Sequence, residues 1–130
     1  MSHRNEQAKQ KSSKKTILLV EDDENIGEVL IQVISEETPY IAILATDGFE
    51  ALKTVNEIKP DLFILDYHLP HMNGLELYDQ LHARHELSHV PAIMISARLP
   101  KAELHQRHIQ GMHKPLDLDE FLQAIDELLT

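Results

Sequence analysis

Four short apolar runs and a fifth, weaker segment near 109–113, separated by stretches with a helical repeat, constrain this chain more than any other feature of its sequence. Thr16-Ile17-Leu18-Leu19-Val20 is continuously apolar and rich in β-branched residues, which predicts a strand buried on both faces. Glu21 to Glu24 stop it. Ile26, Val29, Leu30, Val33 and Ile34 then follow an i, i+3, i+4, i+7, i+8 pattern, predicting an amphipathic helix over 24–36 that ends before Pro39. Tyr40 to Ala45 is the second strand, and Thr46 or Asp47 caps a helix whose apolar face uses Phe49, Leu52 and Val55. Leu62 to Leu65 is the third strand, running into Asp66. Asn73 caps a helix carrying Leu75, Leu77, Tyr78 and Leu81. Ala92 to Ile95 is the fourth strand, ending at Ser96, with a short helix over 101–108. The fifth strand lies near 109–113, just before Lys114-Pro115. Asp117 and Glu120 open the last helix in capping-box fashion, with Leu118, Phe121, Leu122, Ile125, Leu128 and Leu129 on its face.

Five such repeats predict an α/β domain, a parallel sheet with helices on both faces joined by right-handed crossovers. A chain of 130 residues that is 42% hydrophobic is long enough to bury one core. Its charge is unevenly divided. Residues 1–15 hold five basic side chains and one acid, while residues 16–130 hold seven basic against 21 acidic ones. The expected division is therefore a disordered basic tail over 1–15 and one domain over 16–130. A domain with a net charge of −14 lacks the basic excess of a nucleic-acid surface and points to a protein or cation partner. No apolar run reaches the roughly 18 residues that cross a bilayer, so a soluble chain is expected. With no cysteine, disulfide scaffolds, Cys-ligated zinc and thiol nucleophiles are excluded. The composition suits a reducing compartment, and the cytoplasm is the expected location.

In a sheet of this kind, ligands collect beyond the carboxyl ends of the strands. Those ends carry Glu21-Asp22 after the first strand, Asp66 after the third, Ser96 after the fourth and Lys114 after the fifth. Taken singly, each is an ordinary cap or loop residue. As an ordered set they carry a family likeness. Leu18-Leu19-Val20-Glu21-Asp22-Asp23, Pro60 to Asp66, Leu69-Pro70-His71-Met72-Asn73-Gly74, Ile95-Ser96-Ala97 and Lys114-Pro115 resemble the five signature segments of the response-regulator receiver domains of two-component signalling. Asp47-Gly48-Phe49-Glu50-Ala51-Leu52 adds a sixth matching stretch, and the resemblance covers about 16–130.

The resemblance implies a doubly wound five-stranded sheet of order 2-1-3-4-5, the order the flavodoxin-like folds share. With strands one and three adjacent, Glu21, Asp22 and Asp66 come together, and carboxylates that close call for a cation. Hard oxygen donors without His or Cys favour Mg²⁺. By the same resemblance, Asp66 takes a phosphoryl group from the phosphohistidine of a sensor histidine kinase or a histidine phosphotransfer protein. Asp22 and Asp66 ligate the metal, Glu21 acts through metal-bound water, and the His68 carbonyl adds another oxygen. Lys114 and Ser96 contact phosphoryl oxygens. The hydroxyl contact then shifts the loop after the fourth strand and changes which downstream protein docks. The only catalysis implied is self-phosphorylation and self-dephosphorylation.

The chain departs from the family pattern in one region. The Ser96–Lys114 interval is short, predicting a trimmed fourth helix or fifth strand. Gly111 stands where the family carries an aromatic switch residue. His68 and Arg98, two positions after Asp66 and Ser96, either tune the lifetime of an acyl phosphate or serve only as loop residues. Two other readings remain open here. A pseudo-receiver would bind a partner without phosphorylation. A phosphatase of the haloacid-dehalogenase type would want a second Asp where His68 stands. His82, His85 and His89, and His105 with His108, have spacings compatible with a transition metal, but no carboxylate or Cys completes either set, and a solvated helix face is the more frequent reason for such spacings. The sequence ends just after the last helix, so output is expected to come from docking rather than from an attached domain.

Overall fold

The structure, a computed structural model, describes residues 14–130. Its elements alternate: β1 (Thr16–Val20), α1 (Glu24–Glu37), β2 (Ile41–Ala45), α2 (Gly48–Thr54), β3 (Leu62–Asp66), α3 (Gly74–His82), β4 (Ala92–Ser96), α4 (Lys101–Arg107), β5 (Gln110–His113) and α5 (Leu118–Leu129). One 3₁₀ turn, His85–Leu87, which the sequence reading does not contain, joins α3 to β4. The strands form one parallel sheet of order β2-β1-β3-β4-β5, the expected fold. The basic tail expected over 1–15 falls, for its first thirteen residues, outside the described residues.

The continuous apolar runs of β1, β3 and β4 exist because these three strands are covered twice. Leu18, Val20, Phe63, Leu65 and Met94 point to the layer that holds α2, α3 and α4. Their neighbours Ile17, Leu19, Leu62, Ile64, Ile93 and Ile95 point to the layer that holds α1 and α5. Nearly all of these side chains are fully buried, and each contributes about 1.5–3 kcal/mol by leaving water. Register aligns the strand exits: Val20 lies opposite Ala45 and Leu65, Asp66 opposite Ile95, and Ser96 opposite His113.

Three expected faces differ in detail. In α1 the buried residues are Gly27, Leu30 and Ile34, while Ile26 and Val29 are about half exposed. A Cβ on Gly27 would lie 2.7 Å from a Leu44 methyl, so the helix rolls its bare position onto β2 and turns the other apolar stripe outward. Phe49 is exposed because it sits in the first turn of α2, at the rim of the sheet, with its ring 6.2 Å from that of His71. Leu118, the first residue of α5, is likewise exposed.

The fourth helix and fifth strand are short, with seven and four residues. α4 ends on His108 in the left-handed conformation, φ 57°. Arg107 holds this end in place. Its guanidinium donates to both carboxylate oxygens of Asp79 on α3, at 2.8 and 3.0 Å. Its carbonyl accepts from the Tyr78 hydroxyl at 3.2 Å.

Candidate functional site

The strand exits gather at one edge of the sheet. Glu21 continues β1, its N–H donating to the Ala45 carbonyl at 3.0 Å, which turns its side chain inward; it is 5% exposed. Asp22 follows it into solvent. Asp23 is the N-cap of α1, accepting from the Ile26 N–H at 3.1 Å. Asp66 is the last residue of β3 and is 3% exposed. One carboxylate oxygen from each of Glu21, Asp22 and Asp66 lies within 4.8 Å of the others. Among the described residues, no other group of three His, Cys, Asp or Glu side chains comes this close. His82, His85 and His89 therefore do not assemble into such a group. His82 instead lies with Nε2 2.7 Å from the Val90 carbonyl and its ring 4.0 Å from that of Tyr78.

Three acids this close need positive charge, and Lys114 supplies some. Its Nζ donates to Asp66 Oδ2 at 2.7 Å and lies 3.8 Å from Glu21 Oε1. Lys114 reaches the site because its own N–H donates to the Ser96 carbonyl at 3.1 Å, continuing the β4–β5 ladder. The other Asp66 oxygen, Oδ1, accepts from the His68 N–H at 3.0 Å. The His68 side chain is exposed.

One ammonium does not offset three carboxylates. Burial pushes the Glu21 carboxyl up to about 7, and the Asp66 charge adds to this, against the opposing N–H of Asp23 and the Lys114 charge. For Lys114, burial disfavours the cation, yet the hydrogen bond to Asp66 and the charges of Asp66, Glu21 and Asp22 together outweigh it and raise its affinity for the proton. The donor set fits a hard divalent cation: carboxylate oxygens only, two of the three acids buried, with residual negative charge.

Ser96 is fully buried at the end of β4. Its hydroxyl closes a turn with Arg98, donating to the Arg98 carbonyl at 2.9 Å and accepting from the Arg98 N–H at 3.1 Å. Gly74, the last residue of the Leu69–Gly74 segment that resembles a family signature, makes the tightest approach to the site. A Cβ there would stand 2.7 Å from the Asp66 carbonyl oxygen and 2.6 Å from Met94 Sδ. Its N–H donates to the Tyr67 carbonyl at 2.9 Å. With the Asn73/Glu76 capping box, it presses the start of α3 against the segment that carries Asp66. The Asn73-Gly74 pair was the available signal, but only the fold shows which backbone it approaches.

Residues 17–126 match the family model for the response regulator receiver domain. The chain is 32% identical over 120 residues to the polar-differentiation response regulator DivK of Brucella anthropi, covering 88% of this chain and 96% of that protein. DivK of Brucella ovis matches to the same extent. Among solved structures, the chemotaxis protein CheY4 of Vibrio cholerae superposes with a TM-score of 0.82 at 22% identity, covering 89% of this chain and 99% of that one. A signal receiver domain from an HD domain-containing protein of Pseudomonas fluorescens Pf-5 gives 0.78 at 28% identity, covering 89% and 87%.

Proposed function

The chain belongs to the response-regulator receiver domains, the phosphoacceptor modules of two-component signalling, and from that premise we propose that Asp66 is the residue that takes the phosphoryl group. The observation that carries this is the Asp66 carboxylate itself. It is buried at a strand exit, hydrogen-bonded to Lys114 and grouped with two further acids. A carboxylate oxygen of Asp66 attacks phosphorus, the P–N bond of a phosphohistidine breaks, and the imidazole leaves with the bonding pair. Receiver domains are signalling modules rather than turnover enzymes, and self-phosphorylation and its reversal are the chemistry we assign to this one.

Phosphoryl transfer depends chiefly on positioning and charge neutralisation, and the remaining residues serve those ends. Asp22 and Asp66 would hold Mg²⁺, with Glu21 acting through water and the His68 carbonyl as a further oxygen. When bound, the cation neutralises phosphoryl charge. Lys114 moves its hydrogen bond from Asp66 to a phosphoryl oxygen. The Ser96 hydroxyl leaves the Arg98 turn to donate to another oxygen, which loosens the segment leading into α4.

The donor is a histidine kinase or histidine phosphotransfer protein, and the output is a docked protein rather than nucleic acid. Among the described residues no helix is long and apolar enough to cross a membrane, and the absence of cysteine suits the cytoplasm we assign. The haloacid-dehalogenase alternative has no support: residues 17–126 match the receiver family, and His68 occupies the position where that chemistry needs an acid. Intact-mass measurement after incubation with acetyl phosphate and Mg²⁺ tests the assignment. A hydroxylamine-labile phosphoryl adduct is expected in the wild type and not in folded Asp66→Asn. An equal adduct in that variant refutes Asp66 as acceptor, and no adduct on the wild type favours a phosphorylation-independent module.

A further inference from the structure

α1 and α5 share the core layer that holds Ile17 and Leu19 of β1, and Tyr40, just past α1, donates its hydroxyl to Asp126 of α5 at 3.2 Å. Each of the two helices carries four acids and no Lys or Arg. Between them lies a depression of about 250 Å³, with Val33, Leu118 and Leu122 as its apolar part and Glu36, Glu37 and Asp119 as its charged part. Ile26 and Val29 precede Val33 by seven and four positions, so the apolar part continues along α1 as the half-exposed stripe that this helix turns outward. None of the three acids pairs with a Lys or Arg among the described residues. Glu36 and Glu37 also stand in the last turn of α1, which holds no basic residue and where the helix carbonyls already concentrate negative charge. Such a seam suits a cation on an apolar stem, because Lys and Arg lay their methylenes along apolar surface and keep the charged head outside.

The chain carries such cations to the mouth of the seam. The Lys15 carbonyl accepts from the Ile41 N–H at 3.0 Å, four residues past the end of α1, so the chain enters the sheet beside the end of α1 that carries Glu36 and Glu37. Lys14 and Lys15 are exposed there. Residues 1–13, outside the described residues, hold Arg4, Lys9 and Lys11 against the single acid Glu6. Eleven positions separate Arg4 from Lys15, which an extended chain spans with about 36 Å, against about 21 Å for the fourteen residues of α1. We propose that this N-terminal segment is an intramolecular strap seated in the α1–α5 seam. Lys11 and Lys9 meet Glu37 and Glu36 near the entry, and Arg4 reaches Asp119. Their stems cover Val33, Leu118 and Leu122, and the strap closes the seam to other occupants until salt or a competing polycation releases it. This contact stands apart from the phosphoryl chemistry proposed above.

Nitroxide line broadening on the full, unphosphorylated chain reads the contact. The chain has no cysteine, so Gln10→Cys takes a single spin label between Lys9 and Lys11. At low ionic strength the amides of Val33, Glu37 and Leu122 should broaden several-fold more than those of Asn56 and Ile58, which follow α2 on the other layer. Glu36→Lys/Glu37→Lys should weaken the contact about tenfold, and basic residues suit the carboxyl end of a helix, so this variant keeps its fold. Glu28→Lys/Glu57→Lys replaces exposed acids outside the seam with the same change of net charge and should leave the contact intact. About 1 M salt, which shortens the reach of charge to about 3 Å, should release it. Equal broadening on both layers, or seam broadening that survives Glu36→Lys/Glu37→Lys, would overturn the proposal. Equal loss in the two double reversals would mean general attraction to an acidic body and would overturn it too. Broadening of an isotope-enriched, label-free chain mixed with spin-labelled copies would seat the segment on a second copy and refute the intramolecular assignment.

Discussion

Replacing Glu21 by Gln should stabilise the cation-free protein at alkaline pH and lose that advantage in mild acid. Glu21 is 5% exposed, and its nearest compensation is one backbone N–H at 3.1 Å and an ammonium at 3.8 Å that is already hydrogen-bonded to Asp66. Burial accordingly raises its carboxyl from 4.5 to about 7. A carboxyl whose pKa is raised on folding keeps its proton in the native state while the unfolded chain has already released it. The native state then binds more protons, and stability falls as pH rises between those two values. At 1.36 kcal/mol per unit, the full cost above both values is about 3 kcal/mol, of which about 2 kcal/mol develops between roughly pH 5.5 and pH 8. Urea unfolding of wild type and Glu21→Gln in EDTA across that interval reads the difference directly, because every other titrating group is common to both. The gap should widen with pH, and excess Mg²⁺ should narrow it at the alkaline end. A gap that stays constant with pH, or narrows as pH rises, would refute the argument that burial holds this carboxyl neutral.

Gly74→Ala should destabilise the fold by about 1–3 kcal/mol in urea melts, because its methyl meets the Asp66 carbonyl oxygen at 2.7 Å, a backbone atom that no rotamer change relieves; a loss no greater than that of a surface Gly→Ala would contradict this close approach. His71 holds φ 72° and is exposed, so His71→Gly should gain about 0.5–1 kcal/mol of stability, and a clear loss would mean that its contact with Phe49 outweighs the strain. His68→Ala and Arg98→Ala should change the decay of the acyl phosphate about twofold or more, measured by loss of label after donor removal; unchanged decay in both would assign them no part in it.

The fold was legible in the sequence because two-sided burial writes strands as unbroken apolar runs, as in Thr16–Val20, Leu62–Asp66 and Ala92–Ser96, whereas Gln110–His113, with only Met112 buried, carries no such run and was legible only from its place before Lys114-Pro115. Helix existence was legible too, but not always which face turns inward. Ile26, Val29, Leu30, Val33 and Ile34 make one broad apolar face of which α1 buries only Leu30 and Ile34, and glycine, which decides the matter at Gly27, has no hydropathy to display. Strand exits made Glu21, Asp22, Asp66, Ser96 and Lys114 readable as a set. What the sequence could not contain was hydrogen-bond choice. The Ser96 hydroxyl bonds the Arg98 backbone, and that turn depends on the path of a loop.

The ion pair that joins Arg107 to Asp79 makes α4 a helix held at one end. Seven residues are too few to persist alone in water, so α4 exists because its carboxyl end is tied to α3 and Leu104 is buried. Its amino end starts on Pro100 without a side-chain cap, directly after the loop that leaves Ser96. Fraying therefore begins at the end nearest the carboxylate cluster and stops at the fork. A pull on that loop does not slide α4 along the sheet; it swings the free end about a fixed pivot, so a small displacement at Ser96 becomes an angular one at the surface.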